Sequence, residues 1–527
     1  MFCREKHVYE FCSIGDMLER QAASIPDVAF LNFMDDGASF TYAQFNARVN
    51  EVVYGLMAQG VHHGSFVGLM LGNSIEFLVS SYALKKIGAV EVAIYTDFRG
   101  PSLSRMINLT ESPLLIVGAQ YMESLNHVAD DLPYLKKLVV VDNGERTQCQ
   151  LKDVELLDFK AIVTDNDANP GFAVRDDEIA YVLFSSGTTG VSKGLLLSHR
   201  YAMSNAFAIA EAYELTGDDI VYTPWPLHHF GSAVAELLTA LNSGGGVAIR
   251  KRLSISRYWE DTRNCGATWC MMMGASQKYL WDKEPSPDDK NHNLRFTWGG
   301  PFPIHRGKFE ERFGLKTYYC FGLSDCGMLS VRSPHIEGQP TNCGKVRENY
   351  FDVSIVDDFD NELPVGKTGE IVCRPKVPGV ILKGYYGMPE YTLEAFRNLW
   401  FHTGDLGKFD ENGDLHFFER KKHVIKRAGE NILPTEVEEV LHQHPGIEES
   451  AVLGVRNNAG EEDIVAFVQC VEGSKIDVEE LRAFCHDRMA RWMVPMDFIV
   501  LEKLPRTTTD KPSLGELRKL LENMKAN

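Results

Sequence analysis

At 527 residues, with 44% hydrophobic and 24% charged side chains, the chain has the composition of a globular enzyme rather than of a disordered or fibrous protein. It also exceeds the size at which one hydrophobic core stops growing, so a large domain with at least one smaller one is expected. The formal charge of -19 excludes a general nucleic-acid binder, which needs a basic face to displace counterions from phosphates.

The amino-terminal stretch MFCREKHVYEFCSIGDML lacks the sustained apolar run of a secretory signal. No window approaches the roughly 20 apolar residues of a membrane span, so a cytoplasmic protein with no membrane span is expected. The carboxyl-terminal NMKAN carries no peroxisomal or endoplasmic-reticulum address. The 11 cysteines include no Cys-x-x-Cys pair. They are expected as reduced thiols, with Cys265, Cys270, Cys320 and Cys326 as small core residues rather than metal ligands.

Along the chain, short apolar runs at Phe66 to Met70, Leu114 to Val117 and Leu138 to Val141 alternate with longer amphipathic stretches such as Gln44 to Met57. That alternation predicts an α/β fold. The run IAYVLF then predicts a buried strand, followed by SSGTTGVSKG from Ser185 to Gly194. Glycines let backbone amides approach a polyphosphate, hydroxyls donate further hydrogen bonds, and Lys193 supplies a compact positive charge. A Walker A loop is excluded, because Ser192 precedes the lysine, Gly194 follows it, and GLLLSH reads as a strand before a helix.

Towards the carboxyl terminus the texture changes at the basic run ERKKHVIKR near Arg420. Beyond it, Pro434 precedes a predicted capping box of Thr435 and Glu438, opening a helix with Val437, Val440 and Leu441 on one face. Strands are predicted at Ala451 to Val455 and Ile464 to Val471, and Asp477 with Glu480 caps a second helix. This tail reads as a compact α+β unit of its own.

The phosphate loop resembles the signature of the adenylate-forming superfamily of acyl-CoA synthetases, firefly luciferases and peptide-synthetase adenylation domains. There a start rich in Ser and Thr precedes TTG, any residue and PKG. Ser192 stands where proline is usual, which implies a more mobile loop with its site intact. The resemblance implies that Ser185, Ser186, Gly187, Thr188, Thr189, Gly190 and Lys193 bind the nucleotide phosphates.

Further matches follow in family order. PLHHFGS resembles the stretch near the acid pocket, with His229 in that place and His228 as the competing register; Trp225 and Trp298 are candidates to line the same pocket. An aromatic wall of this kind suits a quaternary ammonium through cation–π attraction. TWGGPFP puts Gly299, Gly300 and Pro301 at a glycine-rich turn between acid and adenine. FGLSDC corresponds to a motif of tyrosine, glycine, any residue, threonine and glutamate. By that match Phe321 and Gly322 face adenine, Ser324 contacts the α-phosphate, and Asp325 holds Mg²⁺ with a carboxylate one methylene shorter than usual. FHTGDLG places Asp405 on the ribose hydroxyls, for which a carboxylate offers two acceptors. Arg420 also meets ribose or phosphate, and Lys422 falls at a hinge.

LPRTTTDKP resembles the carboxy-terminal motif that makes Lys511 the catalytic lysine, with Asp510 in place of the usual glycine. RAGEN, with Gly429 and Glu430, implies a face that admits the pantetheine arm of coenzyme A. The implied architecture is a large amino-terminal domain, residues 1–419, of layered α/β sheets with a small β-barrel-like part. A small mobile α+β domain, residues 420–527, follows it.

The implied function is ATP-dependent activation of a small carboxylic acid through an acyl-adenylate, then thioester formation with coenzyme A, with Mg²⁺ as cofactor. IKRAGENILPTEVEEVL resembles acyl-CoA ligases of the crotonobetaine/carnitine-CoA ligase type. The chain ends 16 residues after Lys511, so no appended carrier domain is expected. Loading of a separate carrier protein, a luciferase-like oxidation and a catalytically weak nucleotide-binding role stay open as alternatives, and a homodimer is compatible with the resemblance.

Overall fold

The computed structural model describes residues 11–142, 149–184, 193–299, 306–333, 339–427, 430–457, 462–471, 473–474, 476–507 and 512–526. The chain divides into two compact units: residues 1–353 with 373–401, and residues 354–372 with 402–527.

The first unit is built on two seven-stranded sheets. One runs in the order Glu155–Asp158, Lys137–Val141, Leu114–Gly118, Phe66–Met70, Val90–Ala93, Ile179–Phe184 and Gly194–Ser198. All of its pairs are parallel except the last. Parallel strands covered on both faces need unbroken apolar runs, and LLIVG at Leu114–Gly118 is buried at every position. The alternation seen in the sequence is therefore the alternation of strand and crossover helix, with Tyr42–Ala58 and Ile75–Ile87 among the helices.

The second sheet runs Lys316–Tyr319, Phe296–Gly299, Trp269–Met272, Ile220–Thr223, Gly246–Ile249, Ala29–Phe33 and Ala38–Thr41. It is parallel but for the final hairpin. Cys270 and Cys326 are fully buried in this unit, while Cys265 and Cys320 are half-buried.

In the second unit, strands Ile447–Arg456 and Glu462–Cys470 pair antiparallel, and Asp497–Leu501 joins them in parallel. One face carries the core of Val452, Ile464, Ala466 and Val468 with Val437 and Leu441 of helix Pro434–Leu441. The other packs Ala451, Leu453 and Phe467 against Leu517 and Leu521 of helix Leu514–Ala526. Asp477 caps helix Val478–His486 by accepting the N–H groups of Glu479 and Glu480.

The capping box expected from Thr435 and Glu438 does not form. The helix starts two residues earlier, at Pro434, with Leu433 rather than Thr435 as its flanking residue and no side-chain cap. Proline suits the first helical position because its missing N–H leaves one fewer unpaired donor at the helix end and its ring presets the helical φ. Glu438 instead turns inward and accepts the Val452 N–H at 2.8 Å, and burial pushes its carboxyl up to about 8.

Candidate functional site

In open parallel sheets ligands gather beyond the carboxyl ends of the strands, and the sequence candidates of the first unit lie there. Strand Ile179–Phe184 ends immediately before Ser185. Strand Ile220–Thr223 leads to Trp225, His228 and His229. Phe296–Gly299 carries Trp298 and ends on Gly299, and Lys316–Tyr319 leads to Phe321. Ser185, Ser186, Gly187, Thr188, Thr189, Gly190 and Ser192 lie outside the described residues, as do Gly300 and Pro301.

Lys193 is described, and it opens a strand rather than a helix. Gly194 after it is required by packing: an added Cβ would stand 2.6 Å from Leu109 Cδ2 and 2.9 Å from Val182 Cγ1. Segment Lys383–Tyr386 runs along the same strand, with Lys383 N–H donating to Leu196 O at 2.8 Å and Tyr386 N–H to Gly194 O at 2.8 Å. This brings Tyr385 and Tyr391 to the lysine. Lys193 Nζ donates to the Tyr391 hydroxyl at 2.6 Å and stands 3.8 Å from that ring's centroid.

The strand continues into helix His199–Ala212, capped by Ser198, and this helix fixes the Ser324–Asp325 turn. Tyr201 OH donates to Ser324 O at 2.8 Å, and Asn205 Oδ1 accepts the Met328 N–H at 2.8 Å. Gly327 makes the turn possible with φ of 73°, its missing side chain leaving room for Asn205. Gly322 pairs with Met328 across the short hairpin. Asp325 is half-buried and accepts the Tyr385 hydroxyl at 2.5 Å on Oδ1. Phe321 is buried at the base, its N–H donating to Ser330 Oγ at 2.9 Å.

Magnesium held chiefly by phosphate oxygens needs only one or two protein carboxylates, and Asp325 supplies one. No group of three metal-ligating side chains occurs among the described residues, and Asp325 would be the carboxylate toward a Mg²⁺ ion.

The acid-pocket candidates cluster around Tyr95, which sequence reasoning missed. Its ring centroid lies 4.9 Å from both His228 and His229, and the two imidazoles are 4.5 Å apart. Tyr95 OH donates to Phe184 O, at the start of the phosphate loop. Both histidines are therefore together, and the choice of register between them does not separate their surroundings. Burial lowers His228 to about 3, aided by its neighbour. It lowers His229 to about 4 against the opposing charge of Asp97. Both rings are neutral at pH 7.

Trp225 Nε1 donates to Met271 O at 3.0 Å, and Asn73 fixes the same loop by donating to Trp225 O at 2.8 Å and accepting from Leu227 N at 2.9 Å. Trp298 is buried, its Nε1 without a partner among the described residues. Gly299 has φ of 135°, and a Cβ there would meet Met272 O at 2.6 Å.

In the second unit, Asp405 and Arg420 are cross-strand partners on the antiparallel pair Phe401–Phe409 and Leu415–Arg420. Arg420 Nε bonds Asp405 Oδ1 at 2.8 Å, with the carboxylate buried and the arginine partly exposed. The two ribose candidates thus meet side by side, as alternating register on paired strands requires. Lys422 is exposed in the single turn Lys421–His423. Its neighbour Lys421 is ion-paired to Glu370 at 2.9 Å and Asp358 at 3.0 Å. Glu430 pairs with Arg427 in the hairpin Ile425–Arg427 and Glu430–Ile432. Gly429, Asp510 and Lys511 lie outside the described residues, the last two bracketed by a bridge between Arg506 and Pro512.

A family model described as AMP-binding enzyme matches residues 18–386, and one described as AMP-binding enzyme C-terminal domain matches residues 436–511. Crotonobetaine/carnitine–CoA ligase of Salmonella heidelberg (strain SL476) is 28% identical over 487 residues, covering 90% of this chain and 92% of that protein. Among solved structures, ATP-bound MatB from Rhodopseudomonas palustris superposes with a TM-score of 0.86 at 23% identity, covering 97% of this chain and 99% of its own. The anthranilate CoA ligase AuaEII in complex with anthranoyl-AMP gives 0.86 at 21% identity, with 98% of each chain covered. These likenesses in structure establish the fold. Among the described residues no helix is long and apolar enough to cross a membrane.

Proposed function

The chain belongs to the AMP-binding enzyme family, and from that membership we propose that it activates a small carboxylic acid with ATP and transfers the acyl group to coenzyme A. The observation that carries this reading is that helix His199–Ala212, which follows the strand after Lys193, fixes the Ser324–Asp325 turn, while Lys193 and Asp325 each meet a tyrosine of the segment that runs along that strand. On this reading Lys193 is the phosphate-binding cation, Asp325 the metal-binding carboxylate, and Tyr95, His228 and His229 line the side that takes the acid. The name of the relatives, ligases that join an acid to coenzyme A, supports the second half of the reaction.

In the first step a substrate carboxylate oxygen bonds to the α-phosphorus, the bond to the bridging oxygen breaks, and pyrophosphate leaves. No side chain needs to remove a proton, because the acid is ionised at neutral pH. Lys193 and the loop amides hold the β- and γ-phosphates, Ser324 orients the α-phosphate, and Lys511 meets the carboxylate and α-phosphate as charge builds. Asp325 would hold a Mg²⁺ ion, which when bound would supply further neutralisation of the phosphate charge. Asp405 and Arg420 take the ribose hydroxyls, and Phe321 and Gly322 with the Gly299–Pro301 turn border the adenine.

In the second step the thiol sulfur attacks the acyl carbon and AMP leaves with the bonding pair. Lys511 occupies one approach to that carbon, so the residues after the hinge at Lys422 turn to bring Gly429 and Glu430 to the pantetheine arm. The tail of the acid lies against Trp225, Tyr95 and the neutral imidazoles. That lining suits a quaternary ammonium, held by the rings and by the negative charge of Asp97 near His229.

Pyrophosphate release measured across an acid panel, with and without coenzyme A, tests the whole reading. Acid-dependent release that turns over repeatedly only with coenzyme A is expected. Release that stops near one equivalent despite coenzyme A points to a separate carrier as acceptor, and no release with any acid overturns adenylation.

A further inference from the structure

Two side chains connect the phosphate-loop cation to the metal-site carboxylate. Lys193 Nζ donates to Tyr391 OH at 2.6 Å. The Tyr391 and Tyr385 rings meet edge to face with centroids 4.7 Å apart. Tyr385 OH donates to Asp325 Oδ1 at 2.5 Å, and Lys193 Nζ also stands 5.8 Å from the Tyr385 centroid.

The scaffold under the two tyrosines is specific. Tyr391 and Thr392 sit on helix Pro389–Ala395. Thr392 Oγ1 accepts the Tyr385 N–H at 3.0 Å and donates to Met388 O at 2.9 Å. Gly384 takes φ of 146°, and a Cβ there would press on Thr392 at 3.2 Å. The backbone of Tyr385 is bridged to Leu195, two residues from the lysine.

An ammonium and a carboxylate facing the same nucleotide attract one another, and a direct pair would engage both charges needed for phosphate and metal. A phenol is suited to prevent this, since its hydroxyl can donate to a carboxylate or accept from an ammonium. The ring face between adds cation–π attraction.

We propose that Tyr385 and Tyr391 are positioning residues that hold Asp325 and Lys193 separately engaged, so that the nucleotide meets an ammonium and a carboxylate each oriented by a phenol rather than paired with one another. This rests on the reading of Lys193 and Asp325 as phosphate and metal groups. Tyr385 acts through Asp325 and governs the magnesium requirement; Tyr391 acts through Lys193 and governs phosphate affinity.

The test is calorimetric binding of ATP without acid or coenzyme A, in excess Mg²⁺ and in EDTA, to the wild type, Tyr385→Phe, Tyr391→Phe and Asp325→Ala. Phenylalanine keeps each ring and removes only the hydroxyl. For Tyr385→Phe we expect binding about tenfold weaker with Mg²⁺, the scale of a lost hydrogen bond to a charged group, and unchanged in EDTA. In the Asp325→Ala background the same substitution is expected to add nothing. Tyr391→Phe is expected to weaken ATP binding about fivefold in both conditions, by a smaller margin because the ring face remains.

A purely structural role would lower the thermal midpoint and affect both conditions alike for Tyr385→Phe, which overturns the proposal. So does binding by both variants within twofold of the wild type. Tyr391 is 41% exposed, so its variant folds and keeps the comparison decisive. If the wild type itself binds no ATP, the reading of the site fails together with this one; a wild type that binds beside variants that bind equally well removes only the tyrosine roles.

Discussion

Glu236 Oε1 accepts the backbone N–H of Met271 at 2.9 Å, and the carbonyl of the same Met271 accepts Trp225 Nε1. A fully buried carboxyl thus fixes the strand end that positions a pocket tryptophan. Glu236 lies on a π-helical run, Gly231–Leu238, a geometry of wider turns found often at functional sites. Gly231 at its start clears Met271, whose Cε and Sδ would stand 2.9 Å from an added Cβ.

Burial raises the Glu236 carboxyl to about 8, against the bond from the Met271 N–H. A raised carboxyl gives full stability below the unfolded value near 4.5 and loses it as pH rises towards 8. Glu236→Gln keeps the acceptor and removes the ionisation. The variant is expected to gain stability over the wild type that grows between pH 5 and 8, reaching about 4 kcal/mol by urea unfolding. A gap that does not widen with pH would contradict this.

His228 and His229 shift in the opposite sense. Their folded values near 3 and 4 lie below the unfolded 6.5, so their contribution is complete above pH 6.5 and falls away on acidification. At pH 5.5 each costs about 1.4 kcal/mol relative to neutral pH. The thermal midpoint should drop between pH 7 and 5, and His228→Gln should flatten that drop.

Asp405→Asn tests the ribose assignment. The amide retains one acceptor but loses the charge that binds Arg420 at 2.8 Å. ATP affinity is expected to fall about tenfold, the scale of a charge-assisted hydrogen bond, while 2′,3′-dideoxy-ATP binding should change less. Equal losses for both nucleotides would move the ribose elsewhere.

Lys511→Ala is expected to abolish adenylate formation and to spare thioester formation from synthetic acyl-adenylate, whereas Gly429→Leu does the reverse. Single-turnover assays of each half reaction separate the two. Equal losses in both half reactions for both variants would refute the turn about Lys422.

The acid is tested by its effect on the folded state. With ATP present, betaine-type acids are expected to raise the thermal midpoint more than plain short- and medium-chain acids, because ligand binding to the native state alone stabilises it. No preference for the cationic series sinks the quaternary-ammonium reading.

Local chemistry made much of this protein legible from sequence. The unbroken apolar runs specified buried parallel strands, since such strands are covered on both faces. Gly194 after Lys193 announced a strand where a Walker loop would open a helix. The order of short motifs identified the family, because each set of residue types answers a separate demand of the nucleotide.

Where local signals competed, sequence misled. Thr435 and Glu438 have cap spacing, yet Pro434 moved the helix start and a tertiary acceptor role claimed Glu438. The companions of the candidate site had no local signal at all. Tyr391 lies 198 positions from Lys193 and Tyr385 lies 60 from Asp325, while Tyr95 reaches the histidines from another sheet. The sequence by itself therefore determined the family and the order of its motifs, because spacing and side-chain chemistry act over a few residues. Only the tertiary structure decided which rings and hydroxyls hold those groups, because that depends on strand order and close packing between distant segments.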